Sequence, residues 1–314
     1  MAKLQSTEIV GVANRPATIC SNSACLWFDT TNLKPMASYC SRSGAGVWSA
    51  GGALITARHG VAGAGTQNEG LAAGGVTVTC TEEYNGTSWS AGGALITARY
   101  GLAGAGTQNA GLAAGGTIGS FINCAITEEY NGTSWSAGGA LIIARQQLAG
   151  AGSQNEGLVV GGYVSAAVSC TEEYNGTSWS AGGVLITARY GSAGAGTQNE
   201  GLAAGGVTVT CTEEYNGTSW SAGGALITAR YYLAGAGTQN AGLAAGGYTN
   251  VNVSCTEEYN GTSWSAGGSL ATARSQLSGE GTQGAGLVAG GATTVSLACT
   301  EEYSKALAII DCIL

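Results

Sequence analysis

The chain has 314 residues, of which 55 are Gly and only 2 Pro, with 7 Trp, 13 Tyr, 2 Phe and a single His. Collagen is excluded because no Gly-X-Y period runs through the sequence, and a hydrophobic fraction of 44% is too high for a disordered linker. A net charge of −8 leaves no excess of cations for nucleic acid, and the lone His59 has no second imidazole for a metal centre or a catalytic relay.

Every apolar stretch is cut by Gly, Ser, Thr or a charge well before the roughly 20 apolar residues that a spanning helix needs. No membrane insertion is expected. Met1 to Glu8 places an acidic residue where a signal peptide carries its apolar core, so no export signal is expected either.

Residues 1 to 46 contain no repeat. Their Cys25-Leu26-Trp27-Phe28-Asp29-Thr30-Thr31-Asn32-Leu33-Lys34 run predicts a strand, an Asp/Asn turn and a second strand. From about residue 47 to 303 one unit is written six times: Trp48, Trp89, Trp135, Trp179, Trp220 and Trp264 each precede Ser-Ala-Gly-Gly, at spacings of 41, 46, 44, 41 and 44 residues. That period suits a four-stranded propeller blade or a helical pair. Gly every few residues rejects helices, since each costs about 1 kcal/mol relative to Ala in a helix interior. Strands that approach closely near an axis use it instead.

Each unit predicts four short strands. Strand a is Leu-Ala-Gly-Ala-Gly, Thr-Gln-Asn turns it into strand b, Gly-Leu-Ala-Ala-Gly-Gly, strand c ends in Thr-Glu-Glu-Tyr, and Asn-Gly makes a hairpin into strand d at the Trp. The first Trp segment, 47 to 58, has no strand c before it, and the last strand c, ending at Tyr303, has no Trp strand after it. Pairing these orphans completes a sixth blade and removes two exposed edges. The expected fold is therefore all-β: a six-bladed propeller over 47–303, closed by N-terminal strand d on C-terminal strand c. An N-terminal segment of short strands occupies 1–46 and an apolar tail 304–314. Leu307-Ala308-Ile309-Ile310 in that tail is expected to dock on the N-terminal segment or on a partner chain.

Gly115-Gly116 closing a second strand, then Tyr130, then Trp135 five residues later, form a pattern that recurs six times and resembles the kelch repeat. The resemblance covers about four fifths of the chain and implies a six- or seven-bladed propeller. The short Thr-Ala-Arg between strands d and a departs from the Arg-rich, Pro-rich connection common in that family, which leaves function open.

Strand parity puts Cys80, Glu82 and Tyr84 on one face of strand c and Thr81 and Glu83 on the other. The blades supply 12 Glu from such pairs and 6 Arg from the Thr-Ala-Arg or Ile-Ala-Arg segments. One ring of Arg–Glu contacts between blades and one ring of solvated Glu are expected. A catalytic carboxylate pair needs two unlike environments, so identical pairs in every blade read as scaffold, and no catalytic residue, metal site or cofactor is assigned. Cys80, Cys124, Cys170, Cys211, Cys255 and Cys299 belong to the repeats. Sheets lie about 10 Å apart, beyond the roughly 7 Å that a disulfide tolerates, so free thiols are expected there. Cys20, Cys25, Cys40 and Cys312 lie in the two ends and are able to pair with one another.

Variation between the copies is concentrated after Arg and after Gly-Gly. The segment after Arg reads His59-Gly60, Tyr100-Gly101, Gln146-Gln147, Tyr190-Gly191, Tyr231-Tyr232 and Ser275-Gln276. Alternating strand direction puts both connections on one side of every blade, so the varied residues share a face. His59, Tyr100, Gln146, Gln147, Tyr190, Tyr231, Tyr232 and Gln276 are the candidate contacts for a ligand or receptor, since Tyr and Gln offer stacking surfaces and amide hydrogen bonds. Glu69, Glu156 and Glu200 fall in or just after the turn from a to b, on the opposite face, which argues against a glycan-cleaving centre in the opening.

The Leu-Trp-Phe-Asp-Thr-Thr-Asn-Leu-Lys opening with near-identical Trp-Ser-Ala-Gly-Gly and Ala-Gly-Ala-Gly-Thr-Gln-Asn repeats resembles kelch-type virion proteins of tailed phages, cyanophages among them. That implies a virion structural protein, made in the host cytoplasm, of the tail-fibre or tail-tip kind. Trp27, Phe28 and Asp29 would attach it to other virion proteins in a homo-oligomer, and the propeller would meet a host cell-surface glycan or protein. A kelch-type adaptor for protein partners is the alternative reading, and a glycan-acting propeller enzyme the least favoured.

Overall fold

The computed structural model describes residues 25–29, 34–42, 45–76, 78–119, 121–207, 209–305 and 307–313. Every regular element among them is a β-strand. Two compact units are present, one from the N- and C-terminal segments and one spanning 46–304.

In the smaller unit, Lys34–Arg42 is the middle strand of three, antiparallel both to Cys25–Asp29 and to Leu307–Ile313. The apolar tail therefore pairs with the N-terminal segment. Trp27, Phe28 and Asp29 lie opposite Met36, Pro35 and Lys34. Cys25 lies opposite Ser38, Cys40 opposite Ile309 and Cys312 opposite Ala37, so no two of these three cysteines are directly across from each other. Cys20 lies outside the described residues.

The larger unit is a six-bladed propeller of four-stranded antiparallel sheets. Blade four shows the plan: strand a is Ala193–Gly196, b is Gly201–Ala204, c is Thr212–Tyr215 and d is Trp220–Ala222, hydrogen-bonded in that order. Blade six takes a, b and c from Ser278–Thr282, Ala285–Ala289 and Thr300–Ser304, and d from Val47–Ala50, with Tyr303 opposite Trp48. The closure expected from counting strands is the one found. Blade two adds a small hairpin, Thr117–Ile118 with Ile122–Asn123, in its longer loop between b and c.

Glycine in strand a has a steric cause. A Cβ on Gly104 would sit 2.2 Å from the carbonyl oxygen of Gly63 in the preceding blade, and one on Gly235 would sit 2.4 Å from that of Gly194. Backbone touches backbone around the axis, which no other residue permits without widening the ring. Strand b is buried from its Gly onward, and its Leu71, Leu112, Leu158, Leu202, Leu243 and Leu287 make the apolar filling between blades.

Three polar contacts recur at every blade interface. The Trp indole N–H donates to the strand c Thr hydroxyl of the preceding blade, as from Trp220 to Thr171 at 2.9 Å. The Gln of the turn between a and b donates to two carbonyls of the preceding blade, as from Gln198 to Gly157 at 3.0 Å and to Tyr174 at 2.7 Å. The strand c Tyr hydroxyl donates to the second Glu of the preceding blade, as from Tyr215 to Glu173 at 2.5 Å, and accepts from a backbone N–H, here Gly183 at 3.0 Å. All three cross the junction between blade six and blade one as well.

The last contact corrects an expectation. The second ring of Glu is not simply solvated, because each carboxylate accepts a phenol from the next blade: Glu83, Glu129, Glu173, Glu214, Glu258 and Glu302 receive Tyr130, Tyr174, Tyr215, Tyr259, Tyr303 and Tyr84. Burial, with the carboxylate second, pushes the Tyr215 phenol up to about 12. The fold holds that proton after the unfolded chain has lost it, so the contribution is whole below pH 10 and is lost as pH rises towards 12. Tyr215→Phe removes a charge-assisted bond and leaves the half-buried N–H of Gly183 without its partner, and is expected to cost roughly 2 kcal/mol in urea unfolding at pH 7. It should also soften the alkaline decline.

The first ring of Glu is an ion-pair ring as expected: Arg58, Arg99, Arg145, Arg189, Arg230 and Arg274 meet Glu82, Glu128, Glu172, Glu213, Glu257 and Glu301. Each Arg lies on the crossover from strand d of one blade to strand a of the next, and its Glu lies on strand c of that next blade. The repeat cysteines are free thiols, as expected.

Candidate functional site

The crossovers from d to a and the loops from b to c meet on one side of the propeller. Backbone bridges join them directly: Tyr100 to Thr117, Gln146 to Tyr163, Tyr231 to Tyr248 and Ser275 to Ala292. The varied residues thus share a face, as the alternation of strand direction requires.

At its centre, the second residue after each Arg adopts a left-handed conformation: Gly60, Gly101, Gln147, Gly191, Tyr232 and Gln276, with φ of 66°, 65°, 55°, 63°, 58° and 57°. Their backbones form a closed ring of hydrogen bonds. The N–H of Gly101 donates to the carbonyl of Gly60, Gln147 to Gly101, Gly191 to Gln147, Tyr232 to Gly191, Gln276 to Tyr232, and Gly60 back to Gln276, at 2.6 to 2.9 Å. Three blades keep Gly here. The other three hold a large side chain at a cost of about 1 kcal/mol each, which is the kind of strain that gathers at functional positions.

The ring frames the mouth of an axial cavity of about 130 Å³. Its lining includes Tyr100, Gln147, Tyr232, Gln276, Ser192 and Ser278, the remainder is Gly, Ala, Val and Leu, and none of it is charged. Tyr232 packs against Gly191, where a Cβ would come within 2.9 Å of the ring, and its hydroxyl accepts from Gln147. Burial, with Tyr190 and Tyr231 nearby, pushes this phenol up to about 12, so it is a neutral donor at physiological pH. Tyr100 packs in the same way beside Gly60, and Gln147 beside Gly101, where an added Cβ would come within 3.4 and 3.5 Å of their side chains.

Outside the mouth lies a run of tyrosines. Tyr190 is 5.2 Å from Tyr163, 6.2 Å from Tyr231 and 6.3 Å from Tyr232, and Tyr231 is 4.6 Å from Tyr232 and 5.5 Å from Tyr248, between ring centroids. All five are half-buried. Tyr100 stands apart, edge-on to Phe121.

No protein-family model matches the chain, and no curated protein matches it.

Of the sequence-based candidates, Tyr190, Tyr231 and Tyr232 come together in that cluster, while Gln147, Gln276, Tyr100 and Tyr232 line the cavity. Gln146 is buried and is held through its backbone by Tyr163. His59 sits at the rim, its Nδ1 3.0 Å from the Ser296 hydroxyl, and burial keeps its pKa below the usual value and its ring neutral at pH 7. Among the described residues no three His, Cys, Asp or Glu side chains gather as metal ligands.

Two tyrosines of the cluster, Tyr163 and Tyr248, escape the sequence reading, although each is the first residue after a Gly-Gly pair and differs from copy to copy. Two departures from the repeat also escape it. Ser192 stands where the other blades carry Val61, Leu102, Leu148, Leu233 and Leu277. Glu280 stands in strand a where they carry Ala64, Ala105, Ala151, Ala195 and Ala236. A lone carboxyl therefore does lie in the innermost strands. It is 3% exposed, its polar neighbour is the Ser278 hydroxyl, with which it makes no well-formed hydrogen bond, and it is wedged against Gly63 across the junction of blades six and one.

Proposed function

We propose that the chain is a structural component of a tailed-phage virion, of the tail-fibre or tail-tip kind, whose propeller attaches the particle to the host surface. The observation that carries this reading is a division of labour. Trp, Thr, Tyr, Glu, Gln and Arg, the residues that join the blades, repeat six times without change, while variation gathers on the face that holds the tyrosine cluster. A rigid scaffold with function on the loops of one face is how recognition proteins are built. The kelch-like wording of the repeat and the Trp27-Phe28-Asp29 opening support the virion setting, with the N-terminal segment turned to other virion proteins, in a homo-oligomer. The role is binding, without catalysis.

Replacing Tyr100, Tyr190 and Tyr231 together by Ala is expected to reduce adhesion of the purified chain to host cells at least tenfold, read as bound fluorescent protein per cell. Unchanged adhesion would remove the recognition face, and absence of the chain from purified particles would remove the virion setting.

A protein-binding adaptor is the second reading, favoured by the apolar loop tips on the same face: Phe121 is 73% exposed, Val251 65% and Val295 63%. A pull-down from producing cells that retrieves one stoichiometric protein partner would select it.

A further inference from the structure

We propose that the axial cavity and the tyrosines beside it form a binding site for a neutral saccharide, one arm of which enters the cavity and hydrogen-bonds Ser192 while the sugar face rests on Tyr190, Tyr231 and Tyr232. The assignment rests on the recognition face argued above and names what that face recognises.

Size comes first. A cavity of about 130 Å³ falls short of the roughly 300–1,000 Å³ that encloses a drug-sized ligand. It is close to the roughly 150 Å³ that takes one benzene. It therefore accommodates one substituent, with the bulk of the ligand outside, where the tyrosines are.

Polarity comes second. Ser192 lines the cavity, is 8% exposed, and its hydroxyl has no hydrogen-bond partner. A buried hydroxyl without a partner is costly, and this one replaces a Val or Leu that five blades carry at the same place. A hydroxyl or amide arm would satisfy it.

Charge comes third. No lining residue is charged, the phenol of Tyr232 is held protonated by its burial, and the whole chain carries −8. An anionic sugar would meet repulsion with no cation to offset it, and a cationic group would find no counter-charge at the mouth. A saccharide has apolar C–H faces that stack on aromatic rings and hydroxyls that exchange hydrogen bonds with Gln147, Gln276 and Tyr232. The strain at Gln147, Tyr232 and Gln276 is then the cost of aiming these side chains over the mouth.

The repeat supplies variants that separate binding from folding, because each installs a residue that other blades already carry. Ser192→Leu fills the cavity, and Tyr232→Gly removes both the lid and a strained φ. Titration calorimetry of the full chain with cellotriose, chitotriose, mannotriose and galactobiose, and with sialyllactose and a sulfated disaccharide as charged counterparts, tests the proposal. At least one neutral sugar should bind and both charged ones should not. Each variant should weaken the neutral sugar at least tenfold, with a urea midpoint equal to or above that of the parent. Binding of charged sugars alone, or neutral binding indifferent to both variants, would overturn it. So would a panel without any binder while the chain still adheres to cells through its tyrosines, or adhesion abolished by protease treatment of the cells. Those last two results leave attachment standing and remove only the saccharide.

Discussion

Glu280→Ala is expected to stabilise the propeller by roughly 3 kcal/mol at pH 7. Ala is the residue of the other five blades, so the backbone already accommodates it. Burial raises the Glu280 carboxyl from 4.5 to about 8, with the Ser278 hydroxyl acting in the opposite direction. At about 1.4 kcal/mol for each pH unit between the two values, the figure at neutral pH follows. The sign is set by where the proton sits. The folded chain keeps the carboxyl neutral while the unfolded chain ionises, so parent stability falls as pH rises from about 4.5 to about 8 and levels beyond. Urea unfolding of parent and variant should accordingly agree within about 1 kcal/mol at pH 4.5 and diverge steadily above it. Equal gains at pH 5 and pH 8 would mean that the carboxyl is charged or solvated, and a loss at pH 7 would mean that it has a partner. Glu280→Gln, which keeps the shape, should abolish the pH slope and recover only part of the gain, since a buried amide also wants partners.

Glu213→Ala is expected to act in the opposite direction, by about 3–5 kcal/mol, the range for removing one partner of a buried ion pair. Its carboxylate pairs with Arg189, and it also accepts the N–H of Ile186 at 2.7 Å and of Thr187 at 3.1 Å, fixing the crossover from blade three to blade four. Arg189 in turn donates to the Cys211 carbonyl at 2.8 Å and to that of Gly205 at 3.3 Å. For an isolated pair, replacing both partners by apolar residues is often neutral. Here the double variant Arg189→Met/Glu213→Leu should be less stable than either single variant, because backbone donors and acceptors on both sides lose their partners. A double variant as stable as the parent would show that the charges serve only each other.

The repeat made the architecture legible. Trp spacing gave the blade, and the unmatched strands at residues 47–58 and before Tyr303 gave the closure, because both follow from counting within the sequence. The partners of the second Glu ring were not legible. Parity assigns Glu173 to a face of its strand, but the phenol that reaches it belongs to the next blade, and a periodic sequence does not reveal which surfaces of successive copies touch. The site was half legible. Variable positions after Arg pointed to Tyr190, Tyr231 and Tyr232, whereas Tyr163 and Tyr248 lie in loops of unequal length that only the bridges to the crossovers align with them. Ser192 and Glu280 are each visible as one odd letter in a column of six. What such a letter does depends on burial, which places an unpartnered hydroxyl at the cavity wall and a carboxyl between innermost strands.

The hydrogen-bonded circle at the mouth runs in a single sense, every N–H pointing to the carbonyl of the blade before it. Its bond dipoles chase one another around the axis, and their components across it cancel. A circuit without ends also has every link polarised by two neighbours, so no link is the first to fray. The aperture is in effect a gasket. Side chains can be exchanged on it, one blade at a time, while the backbone circle and the six-fold frame beneath stay as they are.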